Sequence, residues 1–174
     1  NPSPIICGKK WERMGKSAVF RSRFTARFDD RGRIRLPARF LEIVETAYNR
    51  ELYLTSLNGD YILCYPMSVW EGIEERIERI RLRDPDIEEF LNRTSYWGSE
   101  TEIDPKGRIL IPAYLREKCQ LTESAFLLGK VDHWVIWNEE HFVARNLSGT
   151  FDDEKMRRVA TLLHDVSPLP GHAE

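Results

Sequence analysis

A motif that occurs twice constrains the fold of this chain more than any other feature. Residues 28–38 read FDDRGRIRLPA and residues 103–113 read IDPKGRILIPA, which are identical at six of eleven positions with a constant offset of 75 residues. Each copy is followed by sequence that predicts a short helix, then an apolar strand, then an aromatic-rich strand. A chain that repeats a supersecondary unit in this way is expected to fold as two related halves.

The predicted elements follow the same order in both copies. The helix, the apolar strand and the aromatic-rich strand are predicted at 39–48, 52–55 and 61–65 in the first copy, and at 114–119, 125–128 and 133–137 in the second.

Within the first copy, apolar residues alternate with polar ones on either side of Gly32, which predicts two half-buried strands. If these strands pair as a hairpin, a five-residue loop places Phe28 opposite Ile34 and Arg27 opposite Arg35, so that the apolar faces agree. Gly32 supplies the positive φ that such a loop often requires, and the Asp29 carboxylate is expected to accept backbone N–H bonds inside the turn.

A longer helix is predicted between the copies. Ser68 and Glu71 have the spacing of a capping box. The apolar residues that follow recur at spacings of three and four and are expected to pack inward: Trp70, Ile73, Ile77 and Ile80.

Two further helices are predicted nearer the C-terminus. Asp84-Pro85 breaks the chain, and 86–94 predicts a short helix that links the copies. The amphipathic segment 151–163 is expected to form a last helix that turns its apolar residues inward: Met156, Val159 and Leu162 or Leu163.

These patterns suggest five segments. They are a basic extension at 1–19, a first unit with its following helix at 20–82, a linker helix at 83–98, a second unit with the C-terminal helix at 99–164, and a tail at 165–174.

The charge of the chain is distributed unevenly. Residues 1–39 hold eleven Lys or Arg against three acids, and the remaining 135 residues hold fifteen against twenty-five. A basic surface matters more to a polyanion than total charge does, so this asymmetry favours a nucleic-acid partner.

The composition indicates a location in the reducing cytoplasm. No apolar stretch approaches the roughly 20 residues of a membrane-spanning helix, and the first twenty residues lack the apolar run of a secretory signal. The three cysteines, Cys7, Cys64 and Cys119, are widely spaced, and Cys64 and Cys119 are expected to be reduced core residues.

The paired motif resembles one known family. Asp-x-(Arg/Lys)-Gly-Arg followed by an apolar strand and Pro occurs twice, with a helix pair between the copies and Tyr65-Pro66 before the helix that contains Trp70. Over about residues 20–164 the chain resembles the MraZ family of transcription factors, whose usual lysine is replaced here by Arg31.

The resemblance implies both a fold and a function. The expected fold is α+β, with two tandem AbrB-like swapped-hairpin units that form a pseudo-symmetric barrel, together with connecting and C-terminal helices. The resemblance also implies a ring-shaped homo-oligomer at the nucleoid that binds direct repeats in a promoter of a bacterial cell-division and cell-wall gene cluster.

Candidate DNA-binding residues follow from the motif and from the basic segment. They are Arg27, Arg31, Arg33, Arg35, Arg39, Lys106, Arg108 and Arg116, with Asp29, Gly32, Asp104 and Gly107 expected to shape the two loops. The loop arginines are expected to read guanine edges, and Arg27, Arg35 and Arg39 to contact phosphates. Because the second copy has Glu102, Leu110 and Tyr114 at the latter positions, the first copy is expected to supply most of the attraction to DNA. The alternative is that Asp29 with Arg33, and Asp104 with Arg108, are ion pairs that only stiffen the loops.

Two other classes of function compete with DNA binding. An enzyme is disfavoured because the four histidines, His133, His141, His164 and His172, form no known catalytic motif, and the cation beside each loop aspartate favours a stably ionised carboxylate. An antitoxin-like or purely structural oligomer is the remaining alternative. No cofactor, metal, membrane or small-molecule substrate is expected.

Overall fold

The computed structural model describes residues 19–80 and 84–164. Nearly all of the predicted basic extension, the predicted tail, Cys7 and His172 lie outside these residues. The chain divides into two compact units, one ending at His141 and the other beginning at Phe142.

The strands and helices that were predicted lie close to their predicted positions, and one further helix, Glu139–Asn146, was not predicted. The strands are β1 (Arg23–Arg27), β2 (Arg33–Arg35), β3 (Glu51–Thr55), β4 (Tyr61–Pro66), β5 (Ser99–Glu102), β6 (Arg108–Leu110), β7 (Ser124–Gly129) and β8 (Trp134–Trp137). The helices are α1 (Ala38–Ala47), α2 (Met67–Glu78), α3 (Pro85–Tyr96), α4 (Ala113–Lys118), α5 (Glu139–Asn146) and α6 (Asp153–His164). The fold is therefore α+β, as expected.

The two copies exchange strands. One antiparallel sheet has the order β1-β7-β8-β4-β3-β5, and β2 pairs with β6 in a separate two-stranded ribbon. The first strand of each copy therefore pairs with the third strand of the other copy, while the second strands pair with each other, as do the fourth. This pattern relates the two copies by approximate two-fold symmetry.

The predicted β1–β2 hairpin is correct only next to its loop. Phe28 and Ile34 do form an antiparallel bridge. Beyond it the strands part, since Arg27 lies opposite Ser124 of β7, and Arg35 lies opposite Arg108 of β6. The prediction that Arg27 lies opposite Arg35 was wrong, because β1 and β2 each pair with a strand of the other copy.

The pseudo-symmetric barrel that the resemblance implies is not present as a closed barrel among the described strands. β1 and β5 are the two edges of the six-stranded sheet, and no ladder joins them to each other or to the ribbon.

The core lies between the sheet, the ribbon and the helices that follow the ribbon strands. Ile34 of β2 and Ile109 of β6 are fully buried beside Phe40 of α1 and Leu115 of α4. Each helix begins directly after a proline, Pro37 or Pro112, where the missing N–H costs little. This arrangement anchors the ribbon to the core and leaves its other face outside.

Cys64 and Cys119 are buried and unpaired, as predicted. Burial raises the pKa of the Cys64 thiol well above its ordinary value. It likewise raises the pKa of Cys119 to about 12. Both groups therefore remain protonated and act as small apolar side chains.

The predicted capping box at the start of α2 was wrong. The helix begins at Met67 after Pro66, and no side chain caps it. Ser68 consequently lies within the first turn, where its Oγ is buried without a hydrogen-bond partner among the described residues. Of the predicted inward stripe, Trp70 is buried but Ile80 is 47% exposed.

The unit that begins at Phe142 contains α6. The predicted inward orientation of its apolar residues was wrong, because Met156, Val159, Leu162 and Leu163 are all exposed. A single helix needs a second surface to bury such a stripe. No helix among the described residues has the length and apolar character required to cross a membrane.

Candidate nucleic-acid interface

The first motif forms a loop that its aspartate holds together. Asp29 Oδ1 accepts hydrogen bonds from the backbone N–H groups of Arg31 and Arg33, both at 3.0 Å. Asp29 Oδ2 accepts from Arg33 Nε at 2.8 Å and lies 2.7 Å from Arg33 Nη2. The carboxylate therefore fixes both the backbone of the loop and the side chain of its last arginine.

The second motif repeats this geometry. Asp104 Oδ1 accepts from the backbone of Lys106 at 2.8 Å and of Arg108 at 2.9 Å. Arg108 Nε donates to Asp104 Oδ2 at 2.7 Å. Both aspartates therefore accept backbone hydrogen bonds, as predicted. Arg33 and Arg108 also form the ion pairs that the alternative prediction assigned to the stiffening of the loops.

These bonds change the acidity of both aspartates. The side-chain hydrogen bond from Arg33, with backbone bonds from Arg33 and Arg31, lowers the pKa of Asp29 from 3.8 to about 2. Arg108 is the main cause of the same lowering at Asp104, also to about 2. Both carboxylates are thus stably ionised at neutral pH, unlike a tuned catalytic acid.

Each loop requires its glycine. Gly32 has φ +75° and Gly107 has φ +74°, a conformation that side chains with a Cβ adopt at a cost. A Cβ at Gly32 would lie 2.8 Å from the Arg116 guanidinium, and one at Gly107 would lie 2.9 Å from Leu41 Cδ2. Each loop is therefore packed against the helix of the other copy.

The antiparallel ribbon places the two loops at its opposite ends, each beside the last residues of the other copy's strand. The Leu36 N–H donates to the Gly107 carbonyl at 2.9 Å, and the Ile111 N–H donates to the Gly32 carbonyl at 3.1 Å. Arg108 Nη1 also lies 3.7 Å from Asp29 Oδ2 of the opposite loop. The ribbon and its loops thus form one continuous surface with two-fold character.

We call this surface the ribbon face and define it as the outward side of β2 and β6 with loops 29–33 and 104–108. Because side chains alternate along a strand, the buried Ile34 and Ile109 point to the core. The outward positions are Arg33, Arg35, Arg108 and Leu110. Three of these four are cationic.

The candidate cations differ in what they contact. Four are exposed and have no ion pair with any described residue: Arg27, Arg31, Arg35 and Lys106. Arg39 is exposed too, and its Nη1 donates to Glu42 Oε2 at 2.8 Å.

Arg116 has a packing contact that its sequence did not suggest. Its Nε donates to the Ile111 carbonyl at 3.1 Å, and its guanidinium lies 5.8 Å from the centre of the Phe28 ring. The side chain therefore covers Gly32 of the first loop rather than projecting freely into solvent.

Arg50 was not predicted to contribute to this surface. Its Nη1 donates to the Asp104 carbonyl at 2.9 Å, and its Nη2 pairs with Glu45. Arg50 thereby ties the end of α1 to the second loop. The repeat gives no sign of this role, since the equivalent position in the other copy is Glu123, whose carbonyl accepts from the Phe28 N–H as that of Arg50 accepts from the Ile103 N–H.

No group of His, Cys, Asp or Glu side chains within residues 19–80 and 84–164 has an arrangement that could hold a metal ion. The chemistry of the ribbon face is thus that of fixed guanidinium and ammonium groups around two structured loops.

Comparison with known proteins identifies relatives that match most of the chain. A protein named Transcriptional regulator MraZ from Koribacter versatilis is 34% identical over 140 residues, which cover 79% of this chain and 95% of that protein. One from Thermomicrobium roseum is 32% identical over 146 residues, covering 83% of this chain and all of that protein. One from Syntrophobacter fumaroxidans is 36% identical over 126 residues, covering 72% of this chain and 83% of that protein.

A family model agrees with these relatives. The model of the MraZ protein, described as antitoxin-like, matches residues 98–148, which contain the second loop and strands β5 to β8. The chain therefore belongs to the MraZ family.

Proposed function

We propose that this chain is a DNA-binding transcriptional regulator and that the ribbon face is its DNA-binding surface. The observation that carries the proposal is the placement of the two Asp-x-(Arg/Lys)-Gly-Arg loops at the two ends of one short ribbon, with Arg31 and Lys106 both exposed. The relatives carry the name of a transcriptional regulator and not that of an enzyme.

The dimensions of the ribbon suit the major groove. A three-residue strand is about 10 Å long and neighbouring strands lie about 4.8 Å apart. The major groove of B-DNA is about 12 Å wide and admits a two-stranded β-ribbon. The ribbon's outward cations would then lie near base edges, and the exposed loop residues would lie near the phosphates that line the groove.

We assign different tasks to the cations of this surface. Arg31 and Lys106 at the loops, with Arg27 and Arg39 beside them, contact the DNA backbone and position the protein. Arg33 and Arg108 hold the loops in shape through their aspartates. The Arg116 side chain packs against Gly32.

The family resemblance supplies the finer part of the proposal. The exchange of strands between copies supports the swapped-hairpin description of the two units. We propose that the protein acts in the cytoplasm, at the nucleoid, as a ring-shaped homo-oligomer. Its binding sites would be direct repeats in the promoter of a bacterial cell-division and cell-wall gene cluster.

Selection of bound sequences from a random pool of DNA duplexes tests the proposal. The full chain is expected to enrich one sequence and to bind it at least tenfold more tightly than a scrambled duplex of equal length. Its affinity for both duplexes should fall with added salt, because phosphate contacts release counterions. Failure to enrich any sequence would contradict the proposal.

The family description as antitoxin-like makes an antitoxin-like interaction with another protein the second candidate. Antitoxins built from AbrB-type hairpins commonly join one such unit to a flexible toxin-binding tail. Two motif copies in one chain favour the DNA-binding proposal instead. A chain that enriched no DNA sequence would favour the antitoxin-like function.

A further inference from the structure

The four outward positions of the ribbon form the corners of a rectangle. Arg33 lies opposite Leu110, and Arg35 lies opposite Arg108. Facing Cα atoms in an antiparallel pair are about 5 Å apart, and diagonal ones are about 7–8 Å apart. Arg33 and Arg108 therefore occupy one diagonal, and Arg35 and Leu110 occupy the other.

The two arginines of the first diagonal are bound to aspartates of this protein. The Arg33 and Arg108 side chains are 24% and 26% exposed, and each gives Nε and Nη2 to the aspartate of its own loop. A guanidinium that is bound in this way offers less of its hydrogen-bonding edge to an outside partner. The first diagonal is thus mainly structural.

The second diagonal is open. Arg35 is exposed and has no ion pair with a described residue, and Leu110 is 49% exposed. Leu110 is apolar and does not attract phosphate. Because it lies opposite Arg33 and beside Arg108, it is not part of an apolar patch on the ribbon. Its chemistry fits an apolar group presented by an otherwise anionic ligand.

Double-stranded DNA presents such a group at thymine. The C5 methyl of thymine is the apolar feature of the major groove, and guanine presents O6 and N7 to a bidentate arginine. We propose that Leu110 packs on a thymine methyl and that Arg35 binds a guanine edge, an inference that rests on the proposed function. Base reading thus belongs to the open diagonal of the ribbon rather than to Arg33.

The asymmetry of this pair has a consequence for the operator. The two residues occupy equivalent positions in the two copies, at an offset of 75. The operator should therefore have unequal halves under a ribbon that is otherwise symmetric. A diagonal of about 7–8 Å corresponds to about two base-pair steps of roughly 3.4 Å each, so guanine and thymine should lie about two base pairs apart.

Removal of single methyl groups tests the role of Leu110. Each thymine of the duplex selected by the full chain is replaced in turn by uracil, which lacks only the C5 methyl. One replacement is expected to weaken wild-type binding about three- to fivefold, the effect of one buried methyl, and to leave the affinity of Leu110→Ala unchanged. Leu110→Met, which keeps an apolar side chain, should retain the preference for thymine.

A change of preference tests the same position in the opposite direction. Leu110→Arg makes the open diagonal symmetric and should select guanine where the wild type selects thymine. Arg35→Ala should lose about tenfold or more on the selected duplex, and much less on a scrambled one. Arg27→Ala, on β1, is the matched control and should lose affinity equally on both duplexes.

The outcomes separate this inference from the proposed function. A wild-type chain that enriches no sequence would overturn the proposed function. An enriched sequence on which no uracil replacement distinguishes wild type from Leu110→Ala would overturn the inference alone. A Leu110→Ala chain that instead changes oligomeric mass in light scattering, with thymine preference intact, would place Leu110 in a protein contact and also overturn the inference.

Discussion

At the scale of single residues, each loop depends on one carboxylate. Asp29 and Asp104 each accept two backbone N–H bonds and one arginine side chain, and this set is the same in both copies. The sequence predicted this acceptor role because the contacts are local, within four residues of the aspartate. It did not predict Arg116 over Gly32 or Arg50 on the second loop, since those contacts join distant parts of the chain.

The aspartates should make the stability of the fold depend on acid pH. Their pKa values in the folded state, about 2, lie below the ordinary 3.8. A depressed pKa contributes stability that is present above the unfolded value and is lost as the pH falls through the folded value. Between about pH 4 and pH 2 the melting temperature of the wild type should therefore fall more steeply than that of an Asp29→Asn, Asp104→Asn double variant.

Asp30→Asn is the control for this comparison, because Asp30 has no hydrogen bond to the loop among the described residues. Its melting curve should follow the wild type across the same range. Parallel acid profiles for the wild type and the double variant would show that the loop carboxylates do not stabilise the fold.

Glycine substitutions give a second prediction at this scale. Gly32→Ala should lower the free energy of unfolding by about 1–2 kcal/mol, because alanine pays for positive φ and its Cβ displaces Arg116. Gly72→Ala is the matched control, since Gly72 lies within α2 and a Cβ there meets nothing within 4 Å. It should leave stability unchanged or raise it by up to about 1 kcal/mol. Urea denaturation measures the free energy of unfolding of both variants. Equal effects would contradict the requirement for glycine at position 32.

At the scale of the elements, local pattern predicted where strands and helices lie but not how the strands pair. The bridge between Phe28 and Ile34 followed from loop length and alternation. The exchange of β1 and β5 between copies did not, because β3 and β7 carry similar apolar patterns and either is a suitable partner by sequence alone. Partner choice depends on burial in the complete sheet.

The start of α2 provides a test at this scale. If Ser68 were the N-cap, Ser68→Ala would lower stability by about 1 kcal/mol. Its Oγ is instead buried without a partner among the described residues, so the substitution should be neutral or stabilising. Glu74→Ala, which removes the acceptor of the Trp70 indole N–H at 2.7 Å, serves as a destabilising comparison. A decrease of about 1 kcal/mol in the free energy of unfolding of Ser68→Ala would instead support a capping role for Ser68.

At the scale of the whole molecule, the two copies present different surfaces. The first carries exposed arginines at 27, 35 and 39, where the second carries Glu102, Leu110 and Tyr114. All three differences are visible in the sequence, but the placement of Arg35 and Leu110 on the ribbon face depends on the pairing of β2 with β6. The oligomeric state and the operator do not follow from the fold of one chain, because both depend on molecules outside it.

Unequal copies in one chain should associate head to tail, since heterologous contacts between different surfaces close into rings. The exposed apolar residues of α6 agree with burial in a larger assembly. Light scattering at micromolar concentration should give a mass several times the 20.5 kDa of one chain. A strictly monomeric species would rule this assembly out.

If the ribbon face binds DNA, removal of the charges at its two loops should weaken that binding. The measurement is the salt-dependent affinity of an Arg31→Ala, Lys106→Ala double variant for the selected duplex. The control is Arg79→Ala on an exposed arginine beyond the end of α2, whose side chain is 78% exposed. For the double variant we expect a loss of affinity of about tenfold or more and a salt slope shallower by about two units, with no change for the control. Unchanged affinity and an unchanged salt slope in the double variant would show that the loops of the ribbon face do not contact DNA.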